Sequence, residues 1–198
     1  PKSRFLPQFF CKPGVRLLAS CRVALKNWGK NLDLGPLRPA DAAKLFCEIW
    51  PDSAQPLTAD APELLVFVEK QLGGLPLAVV LVAAQGAYEH TLSAVQQRWQ
   101  EEGVAFANSG LDGRLDNLGQ SIRLSLRRLS PDARLLWGLS AFFPTGLPDD
   151  FFQELRAKKP AFSEARKQLI DHRIWHWDVE SGRLRVSPPL AQFAFDQA

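Results

Sequence analysis

Apolar residues recur at helical spacing through most of the chain. After Pro39 they stand at i, i+3, i+4 and i+7, as expected for an amphipathic helix from about residue 40 to residue 50. The segment "PELLVFVEKQL" predicts a second helix that starts at Pro62 and stops at Gly73. A third helix is expected in "LPLAVVLVAAQGAY", and a fourth, amphipathic one over 88–103.

The second half of the chain first continues the helical spacing of apolar residues and then shows the alternating pattern of strands. The loop "FANSGLDGRLDN" separates the halves, and "LGQSIRLSLRRL" after it has helical spacing. Ser130 is the predicted N-cap of the next helix, and Pro131 is its predicted first residue. The helical pattern continues in "PDDFFQEL" and "SEARKQLIDHR". The stretches "IWHWDV" and "RLRVS" alternate around "ESG" and predict a β-hairpin, and "PPLAQFAFDQ" predicts a last helix. Only "GVRLLAS" (14–20) has the pattern of a buried strand.

The turn between the second and third helices combines two glycines with a proline. Gly73 and Gly74 permit positive φ, and Pro76 fixes φ and lacks an N–H, so the turn should be rigid. The helix that follows is apolar nearly all round and must be buried on most sides. We expect its start to form the bottom of a crevice where a planar ligand lies against the proline. A plain helix-to-helix turn inside a bundle core is the alternative.

Composition excludes several classes of protein. The chain has 198 residues, 46% of them hydrophobic, and no apolar run of the length of a membrane span or pattern of a secretory signal, which favours a cytoplasmic globular protein. Cys11, Cys21 and Cys47 form no CxxC pair, so neither a disulfide framework nor a zinc site is indicated. The net charge of +3 is too small to imply nucleic acid by itself. Because the chain contains no Met even at its start, we expect a fragment or a processed chain.

Four blocks occur in a characteristic order: "RLLASCR", "LDLGPLRPADAAKLF", "GGLPLAV" and "SIRLSLRRLSPDARLLWGLSAFFPTGLPDDFFQEL". Over residues 14–196 the chain resembles the second half of the nucleotide-binding module of STAND signal-transduction P-loop NTPases, the NB-ARC or AP-ATPase group. The resemblance implies a mainly α fold. Residues 1–36 would be a strand remnant of the α/β nucleotide-binding domain, residues 37–108 a helical bundle with the GLPLA motif, and residues 109–198 a winged-helix domain with a small β-hairpin.

The resemblance also implies a binding site for ADP or ATP. Arg22, at the end of the predicted strand, is the candidate sensor of the γ-phosphate, although one residue is inserted before it relative to the family pattern. The adenine would rest on Gly74, Leu75 and Pro76, with Leu77 lining the pocket. The family's "HPL" motif reads "SPPL" here, so Pro188 stands where a histidine would contact phosphate.

Catalytic motifs are absent from the sequence. There is no GxxxxGK[ST] loop and no apolar run that ends in paired acids, so this chain alone should not hydrolyse ATP. In a slow ATPase of this family, both elements and the magnesium ligands would lie upstream. Ser20, Cys21 and Cys47 have neither a glycine elbow nor a nearby histidine, so a nucleophilic site is not indicated. His172 and His176 are four residues apart, but His176 is expected on a strand and no third metal ligand is near.

The functional hypothesis is a nucleotide-dependent switch. ADP would hold the bundle against the winged helix, and exchange for ATP would let them rotate apart for self-oligomerisation and signalling. The partners would be an adenine nucleotide and the P-loop half of the same protein. The basic stretch "RLSLRRLSPDAR" leaves open a DNA-binding winged-helix regulator, and a helical protein-interaction scaffold is the other alternative.

Overall fold

A computed structural model describes residues 34–106 and 113–197 of the chain. The elements in these ranges belong to one compact unit, Pro36–Ala198. Most of the described residues are helical, and the strands form one small antiparallel sheet. No helix in the described ranges is both long enough and apolar enough to cross a bilayer.

The first part of the unit is a helical bundle. Its helices are α1 (Pro39–Ile49), α2 (Pro62–Val66, continued by a π-helical turn over Phe67–Gln71), α3 (Pro76–Ala83), α4 (Gly86–Glu89) and α5 (Leu92–Phe106). The second part contains α6 (Gly113–Arg127), α7 (Pro131–Ser140), β1 (Leu147–Pro148), α8 (Asp149–Lys158), α9 (Phe162–Asp171), β2 (Trp175–Asp178), β3 (Arg183–Val186) and α10 (Pro188–Gln197). The described fold therefore confirms a mainly helical chain with a small β-hairpin.

Local signals account for the start of several helices. Ser130 Oγ accepts a hydrogen bond from the Ala133 amide at 3.2 Å, so the predicted cap of α7 is confirmed. The fourth helix starts at Leu92 instead of residue 88, because His90 adopts a left-handed φ of 59° and Thr91 Oγ1 caps the Ala94 amide. The predicted third helix likewise divides into α3 and α4.

The sheet has three strands in the order β1-β3-β2. Within the hairpin, Trp175 faces Val186 and Trp177 faces Leu184. The hairpin was predicted, but β1 was not. Its two residues pair with β3, with Leu147 opposite Leu184, and both leucines are fully buried. A strand of two residues leaves no alternating pattern that a sequence could reveal.

Two hydrophobic cores meet at α3. The bundle core contains Ala78, Val79, Val82 and Ala83 of this helix, whereas Leu81 belongs to the core of the second part. All five side chains are 0% exposed, which confirms that the apolar helix is buried on most sides. Because α3 contributes to both cores, any displacement of this helix must disturb both.

Candidate functional site

The glycine–proline corner, Gly73–Leu77, joins the π-helical turn of α2 to the first turn of α3. The turn ends when the Leu72 amide donates to the Phe67 carbonyl, and the Gly74 amide then donates back to the Val68 carbonyl at 2.9 Å. Gly73 and Gly74 have φ of +63° and +61°, the left-handed region that glycine adopts without strain. The predicted positive φ at both glycines is confirmed.

Gly74 is fixed by the extended segment that precedes α1. Its carbonyl accepts a hydrogen bond from the Leu37 amide at 2.9 Å. A Cβ atom at Gly74 would lie 2.6 Å from the Leu37 carbonyl oxygen, closer than any real contact. The backbones of two segments thus approach each other at a place where only glycine fits. Hydrogen bonds with Val68 and Leu37 hold the corner on two sides.

The side chains of the corner divide between core and solvent. Leu75 is half-buried against the bundle core, and Leu77 is half-buried against the core of the second part. Pro76 is exposed and is the first residue of α3, and no side chain in the described part of the chain caps this N-terminus. The corner therefore presents a flat apolar ring beside the amide groups of an uncapped helix start.

The other predicted site residues are not brought to this corner by the described part of the chain. Arg22 lies outside the described residues, and so do Ser20 and Cys21. Pro188 is exposed at the start of α10, where its missing N–H costs no helical hydrogen bond. The nucleotide site remains a prediction.

The structure adds a buried aromatic cluster that the sequence did not reveal. His172 is 1% exposed and stacks on Tyr88, with ring centroids 4.9 Å apart and an interplanar angle of 21°. Burial and the nearby Arg128 guanidinium lower the pKa of His172 from 6.5 to about 4, against an opposing effect of Asp171. The neutral imidazole thus joins α9 to α4 as a packing residue. His176 is exposed on β2, and the described residues contain no cluster of three metal ligands.

The remaining candidate nucleophile is poorly suited to catalysis. Cys47 is half-buried, and its thiol lies 3.8 Å from the Leu57 carbonyl. Burial, with a smaller contribution from the carboxylate of Asp60, raises the pKa of the Cys47 thiol. A raised pKa leaves little thiolate at neutral pH, which agrees with an inert side chain.

Two cavities among the described residues lie away from the corner. One of about 520 Å³ is bordered by the ends of α1 and α4 and by the end of α9. The other, of about 790 Å³, opens between α6, α7 and α10. Neither is lined by Gly74, Leu75, Pro76 or Leu77.

Comparison with known proteins finds no relative of the chain. No family model matches it, and no curated protein or solved structure is significantly similar to it.

Proposed function

We propose that the chain is the nucleotide-sensing part of a STAND-class signal-transduction NTPase, and that it binds ADP or ATP at the glycine–proline corner. The observation that carries this proposal is the exposed Pro76 ring, which directly follows two left-handed glycines and stands at the uncapped start of a buried helix. This geometry supports an adenine site because a flat apolar surface lies beside backbone donors.

Each residue of the corner would have a separate role. Pro76 would pack against the face of the base, and Gly74 would hold the backbone in place through its hydrogen bond with Leu37. Leu75 and Leu77, both half-buried, would border the base on either side. A bound nucleotide supplies a purine ring and a row of negative charges, whose number distinguishes ADP from ATP.

The position of α3 supports a switch. The helix starts at the corner and packs into both hydrophobic cores. A ligand that shifts the first turn of α3 would therefore alter the packing of the bundle against the second part. The difference in binding energy between ADP and ATP would then set the balance between a closed form and an open, self-associating form.

The second part supports the winged-helix half of this proposal. The order α7, β1, α8, α9, β2, β3, with the sheet order β1-β3-β2, is the order expected if these elements form a helix-turn-helix unit followed by a β-hairpin wing. DNA binding is less well supported, because two arginines on these elements are engaged by acids. Arg166 contacts Asp149 at 3.2 Å, and Arg185 contacts Asp178 at 2.8 Å. The scaffold alternative predicts no response to nucleotide.

Binding of a fluorescent ADP derivative to the full-length natural protein tests the proposal. We expect Pro76→Glu to weaken binding at least about tenfold, because it removes the apolar ring and places a negative charge beside the nucleotide. The helix should tolerate the change, since an acidic side chain is favourable in the first turn.

Pro62→Glu is the matched control. Pro62 is also exposed, also the first residue of a helix without a side-chain cap, and far from the corner in sequence. We expect its affinity for the ADP derivative to stay within about twofold of the natural protein, since the two substitutions have the same effect on a helix dipole. Equal affinity of both variants, or no saturable binding by the natural protein, would refute the adenine site.

A further inference from the structure

The cavity of about 790 Å³ between α6, α7 and α10, here called the α6–α7 cavity, has the features of a ligand site. Its volume falls in the range of small-molecule pockets, and such pockets are lined by apolar side chains with a few polar groups. The apolar lining comes chiefly from Leu126, Leu135, Trp137, Phe142 and Phe193. Leu135 and Phe142 are 58% and 64% exposed at its border, so the apolar surface continues to solvent.

The charged lining is mostly cationic. Arg123, Arg127 and Arg134 line the cavity together with one acid, Glu102, so that three positive charges face one negative charge. The excess of positive charge should attract an anion, and the attraction should weaken as salt is added, because Arg127 and Arg134 are exposed to water.

Two of the arginines are held in place by other contacts. Arg134 Nη2 donates to the carbonyls of Leu126 and Arg127 at the end of α6, at 3.2 and 3.4 Å. Arg127 Nε lies 2.8 Å from the buried Glu102 Oε2, but the two groups are not aligned as a hydrogen bond, so we treat the contact as an ion pair. The Arg134 guanidinium is thus positioned before any ligand arrives, which lowers the entropic cost of binding, whereas Glu102 competes with a ligand for Arg127.

Trp137 contributes a largely buried ring to the wall of the cavity. The residue is 5% exposed, and its ring stacks on Phe193 with centroids 6.2 Å apart. Its buried Nε1–H has no hydrogen-bond partner among the residues that the structure describes. Because the ring lines the cavity, the indole N–H signal of Trp137 can report a ligand that packs against the ring.

We propose that the α6–α7 cavity binds a small amphiphilic carboxylate. The apolar body of the ligand packs against Leu126, Trp137 and Phe193. Its carboxylate faces the arginines, which supply the complementary charge. This site is separate from the glycine–proline corner and does not depend on nucleotide binding there.

The test uses octanoate as the probe and octanamide as its neutral counterpart. The six tryptophans of the chain give six indole N–H signals in an NMR spectrum, and Trp137→Phe identifies the signal of Trp137. We expect octanoate to shift the Trp137 signal in a saturable way and to bind at least about tenfold more tightly than octanamide. Absence of a saturable shift, or equal affinity for the two probes, would overturn the proposal.

Two further variants locate the site and guard against misfolding. Leu135→Asp adds a negative charge at the border of the cavity and should weaken octanoate binding at least about fivefold. Val66→Asp, which changes an exposed valine at 56% exposure on α2, should leave the affinity unchanged. Glu102→Gln removes the competing negative charge and should tighten binding, a gain that misfolding cannot produce.

If Leu135→Asp and Val66→Asp bind octanoate equally, or if Glu102→Gln weakens binding in a folded variant, the probe lies elsewhere and the assignment is wrong. A shift of the Trp137 signal by acidic helical peptides, but not by octanoate, would also contradict it. That outcome would make the cavity a surface for an acidic partner segment.

Discussion

Gly74 meets two separate requirements that no other residue type satisfies together. Its φ of +61° strains a side chain, and the place of a Cβ atom is blocked by the Leu37 carbonyl oxygen. Gly182, in the hairpin turn, has nearly the same φ of +62°, but a Cβ atom there would meet no described atom within 4 Å. The two glycines therefore separate the cost of backbone strain from the cost of the backbone clash.

We expect Gly182→Ala to lower the free energy of unfolding by about 1 kcal/mol, from strain alone. Gly74→Ala should lower it by about 3 kcal/mol, because the Leu37 backbone must also move. Urea unfolding of the two variants beside the natural protein measures both values. Equal losses would mean that the contact between Leu37 and Gly74 contributes little to the corner.

The sequence predicts features that depend only on a residue and its neighbours along the chain. The conformations of Gly73 and Gly74 and the burial of α3 follow from glycine and proline chemistry and from the apolar pattern. The stack of His172 on Tyr88 and the unpartnered Nε1 of Trp137 within the described residues could not be predicted in this way. Both depend on which helices become neighbours, and short-range patterns carry no information about that.

At the scale of elements, α7 shows how much a cap determines. Ser130, Pro131 and the acidic Asp132 in the first turn are all local signals, and the helix begins where they predict. The π-helical turn over Phe67–Gln71 and the short strand β1 have no comparable signal. The π-helical turn lies just before the two glycines, and β1 is defined by its pairing with β3.

The cap of α7 gives a measurable stability difference. We expect Ser130→Ala to lower the free energy of unfolding by about 1 kcal/mol, because the Ala133 amide loses its partner. Ser163→Ala is the control, since Ser163 is exposed in the first turn of α9, and it should change stability by less than about 0.5 kcal/mol. Chemical denaturation provides the comparison, and a similar loss in both variants would show that the Ser130 bond is not a stabilising cap.

At the scale of the whole unit, polar and aromatic contacts join the bundle to the second part beside the shared helix α3. Gln85 Nε2 donates to Ser125 Oγ at 3.4 Å, and Arg128 forms an ion pair with Glu89. The Arg128 guanidinium also lies 4.9 Å from the centre of the Tyr88 ring, which stacks on His172. Tyr88 and Arg128 both interact with the titratable His172, so the attachment of the two parts should depend on pH.

The sign of that dependence follows from the lowered pKa of His172. Between pH 6.5 and about 4 the imidazole is protonated in the unfolded chain but neutral in the folded one. The unfolded state therefore binds more protons in this window, and stability falls as the pH falls through it. Above pH 6.5 the contribution is fully present. A shift of this size corresponds to a loss of about 3 kcal/mol by pH 4.

We expect His172→Phe to reduce the loss of unfolding free energy between pH 7 and pH 4, because phenylalanine retains a ring against Tyr88 and cannot take up a proton. His176→Phe is the matched control, since it makes the same substitution at an exposed histidine on β2. All three proteins contain the same carboxylates, so a difference between the profiles is attributed to the replaced histidine. Urea unfolding at half-unit pH steps measures it. Parallel profiles for His172→Phe and the natural protein would show that His172 titrates normally and that the seam between the two parts does not respond to its charge.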